Sequence, residues 1–176
     1  MNRSILYFLV IFSVVFTACA SAQNEAPINH QAYFDAMKKH LSGRFAEVSD
    51  KDGWLVDYTL MSKNTVLSET WTAPSGNTEL TLFFMDKGTL LATHFCASGI
   101  QSTMELVSPD GVDEALMFTI RSATNLTSAD QPHNSGFTYL FLDNDQVKRT
   151  EQWKKADKQS HSELILQPEQ TSSVIR

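Results

Sequence analysis

Hydrophobic and polar residues alternate over short runs between residues 44 and 167. Turn-forming residues interrupt these runs about every eight to twelve residues, which is typical of antiparallel strands joined by hairpins. The runs richest in aromatic and β-favouring residues are 54–61, 78–85, 89–96, 115–120, 137–142 and 161–166. The pattern predicts about ten short strands in an up-and-down sheet, and closure into a barrel would remove the two exposed edges of that sheet.

A segment whose apolar residues follow the periodicity of an α-helix precedes the strands. Asn29 can cap a helix over residues 30–41, and Gly43 can end it. The apolar stripe of this helix consists of Tyr33, Phe34, Met37 and Leu41. The predicted fold is therefore mainly β, an antiparallel up-and-down barrel of about 8–10 strands with one N-terminal helix that can plug one end.

The first 22 residues are typical of a secretory signal peptide. Arg3 is followed by an apolar run over residues 5–16 and by small residues up to Ala22. The run is about twelve residues long, whereas a membrane-spanning helix needs about 20. We therefore predict an exported protein, periplasmic or extracellular, with no transmembrane segment. Residues 16–19 loosely resemble a lipobox, so a lipid anchor at Cys19 stays open as an alternative.

Three further segments follow the signal peptide. We expect a flexible lead-in over residues 23–28, a single barrel domain with its helix over 29–167, and a flexible tail over 168–176. Cleavage after Ala22 removes one arginine and no acid, which changes the formal net charge from -6 to -7. This negative charge makes nucleic acid an improbable partner. Cys96 is left as a lone thiol on either reading of Cys19.

The run 89–96 contains the main candidate site. Residues two apart on a strand share a face, so His94 and Cys96 point the same way. If that face is the barrel lumen, an imidazole and a thiol project into a partly dry cavity. The alternative is that His94 is hydrogen-bonded within the core and Cys96 is a small buried hydrophobic residue. Gln101, Asn125 and His133 lie at or near loops, where they can converge on a ligand at the barrel mouth. The irregular stretch 121–135 is the best candidate for a functional loop.

Other polar residues give weaker signals. His94, Cys96 and His133 are possible metal ligands, but they lack the paired spacing of a zinc motif, and we predict neither a metal site nor catalytic residues. Glu69 and Glu151 share a face with Trp71 and Trp153. Each glutamate is either an acid inside the cavity or, as is more usual, a solvated outward group.

The chain resembles a group of uncharacterised secreted bacterial proteins. The shared motifs are Thr-His-Phe-Cys-Ala at 93–97 with Gln101, Ala-Thr-Asn-Leu at 123–126, His133 and Trp153. The resemblance implies a calycin-like barrel of the lipocalin type and carries no established activity. Two features depart from the group, because Gln101 is followed by Ser-Thr instead of proline and a basic residue, and the loop has one histidine instead of two.

These observations favour a binding module over an enzyme. The leading hypothesis is an exported barrel that binds a small, mostly apolar ligand, oriented by His94, Cys96, Gln101, Asn125 and His133. One alternative is a thiol-dependent enzyme or redox protein that uses Cys96 with His94. Another is a structural or partner-binding envelope protein whose long loop makes the contact. No cofactor is assigned, although the resemblance allows haem held by one imidazole.

Overall fold

The computed structural model describes residues 27–48, 53–107 and 115–169. They form a closed barrel of ten antiparallel strands and one α-helix, which confirms the predicted fold class. Among the helices of these residues, none is long and apolar enough to span a membrane. The expected signal peptide, the lipobox with Cys19, and most of the lead-in and of the tail fall outside the described residues.

The strands follow one another around the barrel in chain order. The elements are α1 His30–His40, β1 Gly43–Glu47, β2 Leu55–Met61, β3 Val66–Thr72, β4 Thr78–Asp86, β5 Thr89–Phe95, β6 Gln101–Val107, β7 Leu116–Thr124, β8 His133–Phe141, β9 Val147–Lys155 and β10 Lys158–Pro168. Each strand pairs with its chain neighbours, and β1 pairs with β10 to close the barrel. Closure leaves no open edge in this sheet.

The predicted irregular stretch 121–135 was too long. Strand β7 continues to Thr124, because Gln101 pairs with Thr124 and Ser102 pairs with Ala123 across the β6 ladder. Strand β8 begins at His133, which pairs with Lys154 of β9. The connecting loop is therefore residues 125–132. The polar composition of 121–124 hid a strand whose side chains are mostly solvent-exposed.

Helix α1 covers one end of the barrel. Asn29 caps it by accepting a hydrogen bond at Oδ1 from the backbone N–H of Ala32, 3.1 Å away. Its buried face consists of Phe34 and Met37, followed by Leu41 just after the helix. The helix contacts β4 and β5, and the ring of His40 stacks on Phe141 at 4.7 Å. Phe141 ends β8, so α1 lies at the end where the even-numbered strands finish.

Aromatic side chains fill the middle of the barrel. Phe83 is the centre of this layer, and its ring lies 5.6 Å from Phe118, 6.0 Å from Phe137 and 5.9 Å from Tyr139. All four rings are fully buried. Edge-to-face contacts of this kind stabilise a core beyond the area they bury. With the middle filled and α1 over one end, the space for a ligand lies at the opposite end.

Candidate functional site

A cavity of about 380 Å³ opens at the end of the barrel opposite α1. Its walls come mostly from the ends of β1, β3 and β5 and the starts of β2 and β4, together with the middle of β9 and β10. The lining consists of three tryptophans, Trp54, Trp71 and Trp153, four glutamates, Glu47, Glu79, Glu151 and Glu163, and His94, Ser162 and Leu164. The volume falls within the range of about 300–1,000 Å³ that is usual for small-molecule sites.

All three tryptophans of the chain line the cavity. Trp54 precedes β2 and Trp71 lies near the end of β3, so the β2–β3 ladder brings them together with ring centroids 6.0 Å apart in an edge-to-face arrangement. Trp153 lies near the end of β9. Trp71 is buried, whereas Trp54 and Trp153 are half-buried. A ligand in the cavity therefore meets broad indole surfaces that water already reaches in part.

A polar layer below the cavity is centred on Glu69. Its Oε1 accepts hydrogen bonds from the hydroxyl of Tyr58 at 2.9 Å and from the hydroxyl of Tyr139. Its Oε2 lies 3.5 Å from Nη2 of Arg149. Arg149 also donates from Nε to Oε1 of Glu151 at 2.7 Å. The buried guanidinium of Arg149 thus links Glu69 in the core to Glu151 in the cavity.

Burial and charge shift the proton affinities in this layer. Burial raises the pKa of Tyr58 well above its ordinary value, and the charge of Glu69 raises it further. Burial likewise raises the pKa of Tyr139, where the guanidinium of Arg149 opposes the shift without cancelling it. Burial alone would lower the pKa of Arg149, but the carboxylates of Glu151 and Glu69 outweigh burial and raise it. Both phenols are therefore neutral and Arg149 is charged at ordinary pH.

Two aromatic rings pack against the guanidinium of Arg149. Its guanidinium lies 3.6 Å from the ring centroid of Phe137 and 4.3 Å from that of Tyr139. Stacking of this kind favours a cation over an aromatic face. Asn134 donates its side-chain amide to Glu151 on the other side. The cavity floor therefore presents the carboxyl group of Glu151, whose position is set by Arg149 and Asn134.

The cavity is acidic. Its described lining includes four glutamates and neither lysine nor arginine. Glu151 is paired with Arg149, and Glu163 is paired on the outside with Lys148 at 2.7 Å. The described lining therefore carries four carboxyl groups, against two cations that pair with two of them. A positively charged group is therefore the kind that this cavity attracts.

His94 and Cys96 lie together at one wall, on the same side of their strand, as predicted. Oγ1 of Thr81 is 3.1 Å from Nδ1 of His94, and Nε2 of His94 is 3.6 Å from Oε2 of Glu79. The thiol of Cys96 donates to Oε1 of Glu79 at 3.6 Å. Ligand atoms of Glu79, His94 and Cys96 all lie within 4.8 Å of one another. His94 lines the cavity, and Glu79 joins it to Cys96.

Gln101 and Asn125 form a separate cluster beside the β5–β6 turn. Oε1 of Gln101 accepts hydrogen bonds from Thr124 and from Nδ2 of Asn125, the latter at 3.2 Å. Both side-chain amides also donate to the carbonyl of Gly99, at 3.0 Å and 2.9 Å. Asn125 adopts a φ of 62°, a left-handed conformation that asparagine tolerates well. These contacts join the β5–β6 turn to the end of β7.

His133 is buried away from the cavity lining. It precedes Asn134, which pairs with Trp153 and reaches Glu151, so alternation places His133 on the other face of the sheet. Its Nδ1 lies 2.9 Å from the carbonyl oxygen of Gln131. Of the five residues that the sequence suggested, the structure thus brings His94 and Cys96 together, joins Gln101 to Asn125, and keeps His133 apart from both pairs.

The loop of residues 125–132 is held by its own hydrogen bonds. Oε1 of Gln131 accepts from the backbone N–H groups of Thr127 at 2.7 Å and Ser128 at 3.2 Å. The carbonyl of Ala129 accepts from the N–H of Ala156 at 2.6 Å, which ties the loop to the β9–β10 turn. The loop is therefore an ordered support of the barrel rim.

Sequence reasoning missed several residues of the site. It treated Glu69 and Glu151 as ordinarily outward, which is wrong for both, since Glu69 is fully buried and Glu151 lines the cavity. Glu79 was not considered at all. The turn at 74–77 was a usable signal, because that hairpin pairs Thr72 with Thr78 and hence Trp71 with Glu79.

Comparison with known proteins does not assign the chain to a family. The chain matches no protein-family model and no curated protein.

Proposed function

We propose that this protein is an exported binding module for one small ligand, apolar over most of its surface and carrying one cationic group. The observation that carries the proposal is the convergence of all three tryptophans and several carboxylates on a single open cavity. The ten-strand barrel with a helix over the opposite end is compatible with a calycin-like architecture, in which barrels of this size class hold one small ligand.

The two kinds of lining residue select different parts of the ligand. The indole faces of Trp54, Trp71 and Trp153, with Leu164, offer apolar contact. A cation over an indole face gains about 0.5–2 kcal/mol, and tryptophan is the best aromatic partner for it. Nearby carboxylates add attraction for the cation and repel an anion. An alkylammonium or quaternary ammonium group attached to a compact apolar body meets both requirements.

The geometry gives less support to thiol chemistry. The thiol of Cys96 makes its hydrogen bonds with Glu79 and with Ser98, whose hydroxyl is 3.2 Å from Sγ, rather than with His94. A thiol enzyme needs its base within hydrogen-bond reach of the sulfur. The binding module requires no such pair.

Isothermal titration calorimetry with two isosteric ligands tests the proposal. Phenyltrimethylammonium and tert-butylbenzene have the same shape and differ in charge, and benzoate supplies the anionic comparison. We expect the ammonium compound to bind with one-to-one stoichiometry and about tenfold or more tighter than tert-butylbenzene, as cation–π attraction and the carboxylates together predict. Benzoate should not bind.

Two variants test whether phenyltrimethylammonium binds in the cavity. Trp153→Leu should weaken binding of phenyltrimethylammonium by about tenfold, because it removes one indole face. Phe95→Leu removes an exposed aromatic ring at the same end of the barrel but outside the cavity, and it should leave the affinity unchanged. Equal affinity for the charged and neutral isosteres, or equal loss in the two variants, would contradict the proposal.

A further inference from the structure

We propose that Glu79, His94 and Cys96 form a site for a divalent metal ion of the zinc type in the β4–β5 wall of the cavity. The proposal goes beyond the binding of an organic cation and does not depend on it. It rests on the placement of three different donor groups and on one buried nitrogen that lacks a hydrogen-bond partner.

The barrel backbone brings the three side chains together. Strands β4 and β5 pair so that Thr81 lies opposite His94 and Leu80 opposite Phe95. The same register places Glu79 opposite Cys96, just beyond the end of the ladder. Residues directly opposite each other lie about 4.5–5.5 Å apart at Cβ, and diagonal neighbours such as Glu79 and His94 lie about 7–8 Å apart, within reach of long side chains. Paired strands therefore position Glu79 and His94, and Cys96 follows in the turn that begins where β5 ends.

His94 points a buried nitrogen at the other two residues. The side chain is 4% exposed, and Nε2 has no hydrogen-bond partner. Donation from Nδ1 to Oγ1 of Thr81 leaves a lone pair on Nε2, facing the carboxylate of Glu79 at 3.6 Å. In the opposite tautomer the N–H at Nε2 reaches no acceptor at hydrogen-bond distance. A buried polar atom without a partner is unfavourable, and a bound cation satisfies the lone pair.

The distances suit tetrahedral coordination. Two ligand atoms that are each about 2.0–2.3 Å from zinc lie about 3.3–3.8 Å apart at tetrahedral angles. Nε2 of His94 lies 3.6 Å from Oε2 of Glu79, and Sγ of Cys96 lies 3.6 Å from Oε1, so each distance falls in this interval with its own carboxylate oxygen. The ligand atoms of all three residues lie within 4.8 Å of one another. Thr81, which is fully buried, would hold the imidazole tautomer from behind, as the outer partners of metal-bound histidines do.

The chemistry of the three donor groups indicates which metal ion the site would bind. Imidazole and thiolate favour zinc and other borderline metals over calcium or magnesium, which prefer oxygen ligands only. Three protein ligands leave the fourth position of zinc open. His94 and Glu79 both line the cavity, so that open position faces the space where a small molecule would bind. Trp71, which pairs with Glu79, lies beside it.

Cobalt(II) titration of the reduced protein is the test, followed by competition with zinc. All variants carry Cys19→Ser, so that Cys96 is the single thiol of the chain. We expect one equivalent of cobalt to give visible ligand-field bands of tetrahedral intensity and a near-ultraviolet thiolate-to-cobalt charge-transfer band. Binding of either metal to the metal-free protein should release the thiol proton, which a weakly buffered indicator dye detects. One equivalent of zinc added afterwards should displace cobalt and abolish both bands without further proton release.

Single substitutions distinguish this site from adventitious binding. Cys96→Ser should eliminate the charge-transfer band, and Glu79→Gln should weaken zinc binding about a hundredfold or more, at least as much as the loss of an outer-shell partner. Ser98→Ala is the matched control, because it removes a hydrogen bond to Sγ without removing a ligand, and it should bind zinc within a fewfold of the parent protein. Circular dichroism confirms that each variant is folded.

Three results would overturn the proposal. The first is no saturable zinc or cobalt binding by the folded, reduced protein. The second is binding that Cys96→Ser and Glu79→Gln leave unchanged. The third is a six-coordinate cobalt spectrum without a charge-transfer band. Binding of phenyltrimethylammonium is measured separately in the presence of a chelator, so failure of either proposal leaves the other testable.

Discussion

Glu69 and Arg149 face each other inside the barrel with 3.5 Å between Oε2 and Nη2, and neither side chain is exposed to solvent. Glu69 lies on β3 and Arg149 lies on β9, so the ion pair connects opposite parts of the barrel wall. Two tyrosine hydroxyls donate to Oε1 of Glu69, and Nε of Arg149 donates to Glu151. This layer separates the aromatic core from the cavity and places a buried guanidinium beneath it.

Removing one member of the pair should be strongly destabilising. Arg149→Met leaves Glu69 buried without its cation, and we expect the free energy of unfolding to fall by about 3–5 kcal/mol. Urea denaturation measures this loss. The double variant Glu69→Gln with Arg149→Met should lose clearly less than the sum of the two single variants, because the second change removes the uncompensated charge. Additive losses would show that the two side chains do not interact.

An exposed pair gives the control for that experiment. Arg44 donates to Asp57 at 2.8 Å on the surface of the β1–β2 ladder. Solvent screens this interaction, and exposed ion pairs contribute little to stability. Arg44→Met should therefore leave the urea midpoint unchanged within error.

The protein should lose stability steeply in alkali. The pKa values of Tyr58 and Tyr139 are raised by burial in the folded state and return to about 10 on unfolding. Their contribution is complete below pH of about 10 and is lost as the pH rises above that value, because the unfolded chain then binds fewer protons than the folded one. Each tyrosine should contribute a slope of about −1.4 kcal/mol per pH unit.

Urea midpoints between pH 9 and pH 12 measure that slope. Tyr58→Phe should roughly halve the dependence that the two tyrosines cause, since one titrating group is gone. Tyrosinate absorbance provides a second check. Ionisation of both buried phenols near pH 10 in a protein that is still folded would contradict the described layer.

Helix α1 should be an integral part of the barrel core. Met37 is fully buried between the helix and the strands, so Met37→Ala leaves a cavity and should lower the free energy of unfolding by about 2–5 kcal/mol. Lys39 is exposed on the same helix, and Lys39→Ala should change stability little. Thermal unfolding followed by circular dichroism compares them. A small effect of Met37→Ala would mean that the helix does not seal the barrel.

Gly136 should not tolerate a side chain. A Cβ at this position would lie 2.7 Å from the backbone oxygen of Phe118 on β7, and backbone yields little. Gly136→Ala is expected to lower stability by about 1–3 kcal/mol through overpacking at the β7–β8 ladder. Ser135→Ala, in the bulge next to it, removes only a 3.3 Å hydrogen bond and should have a smaller effect. Equal effects on the urea midpoint would argue against this packing.

The sequence predicted the fold well because the signals for strands and turns are local. Alternation over each run, turn residues at regular spacing and the stripe of Phe34, Met37 and Leu41 all follow from side-chain periodicity. The exposed end of β7 was not predicted as a strand, because a polar stretch such as 121–124 becomes a strand only by pairing with β6. Pairing with another strand is tertiary information.

The site was less predictable because it depends on which face of each strand turns inward. Glu69 and Trp71 share a face, as do Glu151 and Trp153, and the pattern alone does not say which way that face points. Arg149, two residues from Glu151, makes the inward orientation of the glutamate favourable by supplying a buried cation. Gln101 and Asn125 lie where β6 begins and just after β7 ends, but their amides bind each other and Gly99.

The most direct test of the central claim is a titration of the ¹⁵N-labelled protein with phenyltrimethylammonium, followed through the tryptophan indole N–H resonances. The chain has three tryptophans, and all three line the cavity. The account predicts that all three indole resonances shift together and saturate with one dissociation constant, while the backbone amides of Met37 and its neighbours in α1 stay in place. Saturable shifts confined to the α1 end or the outer barrel face, with the indole resonances unmoved, would contradict it.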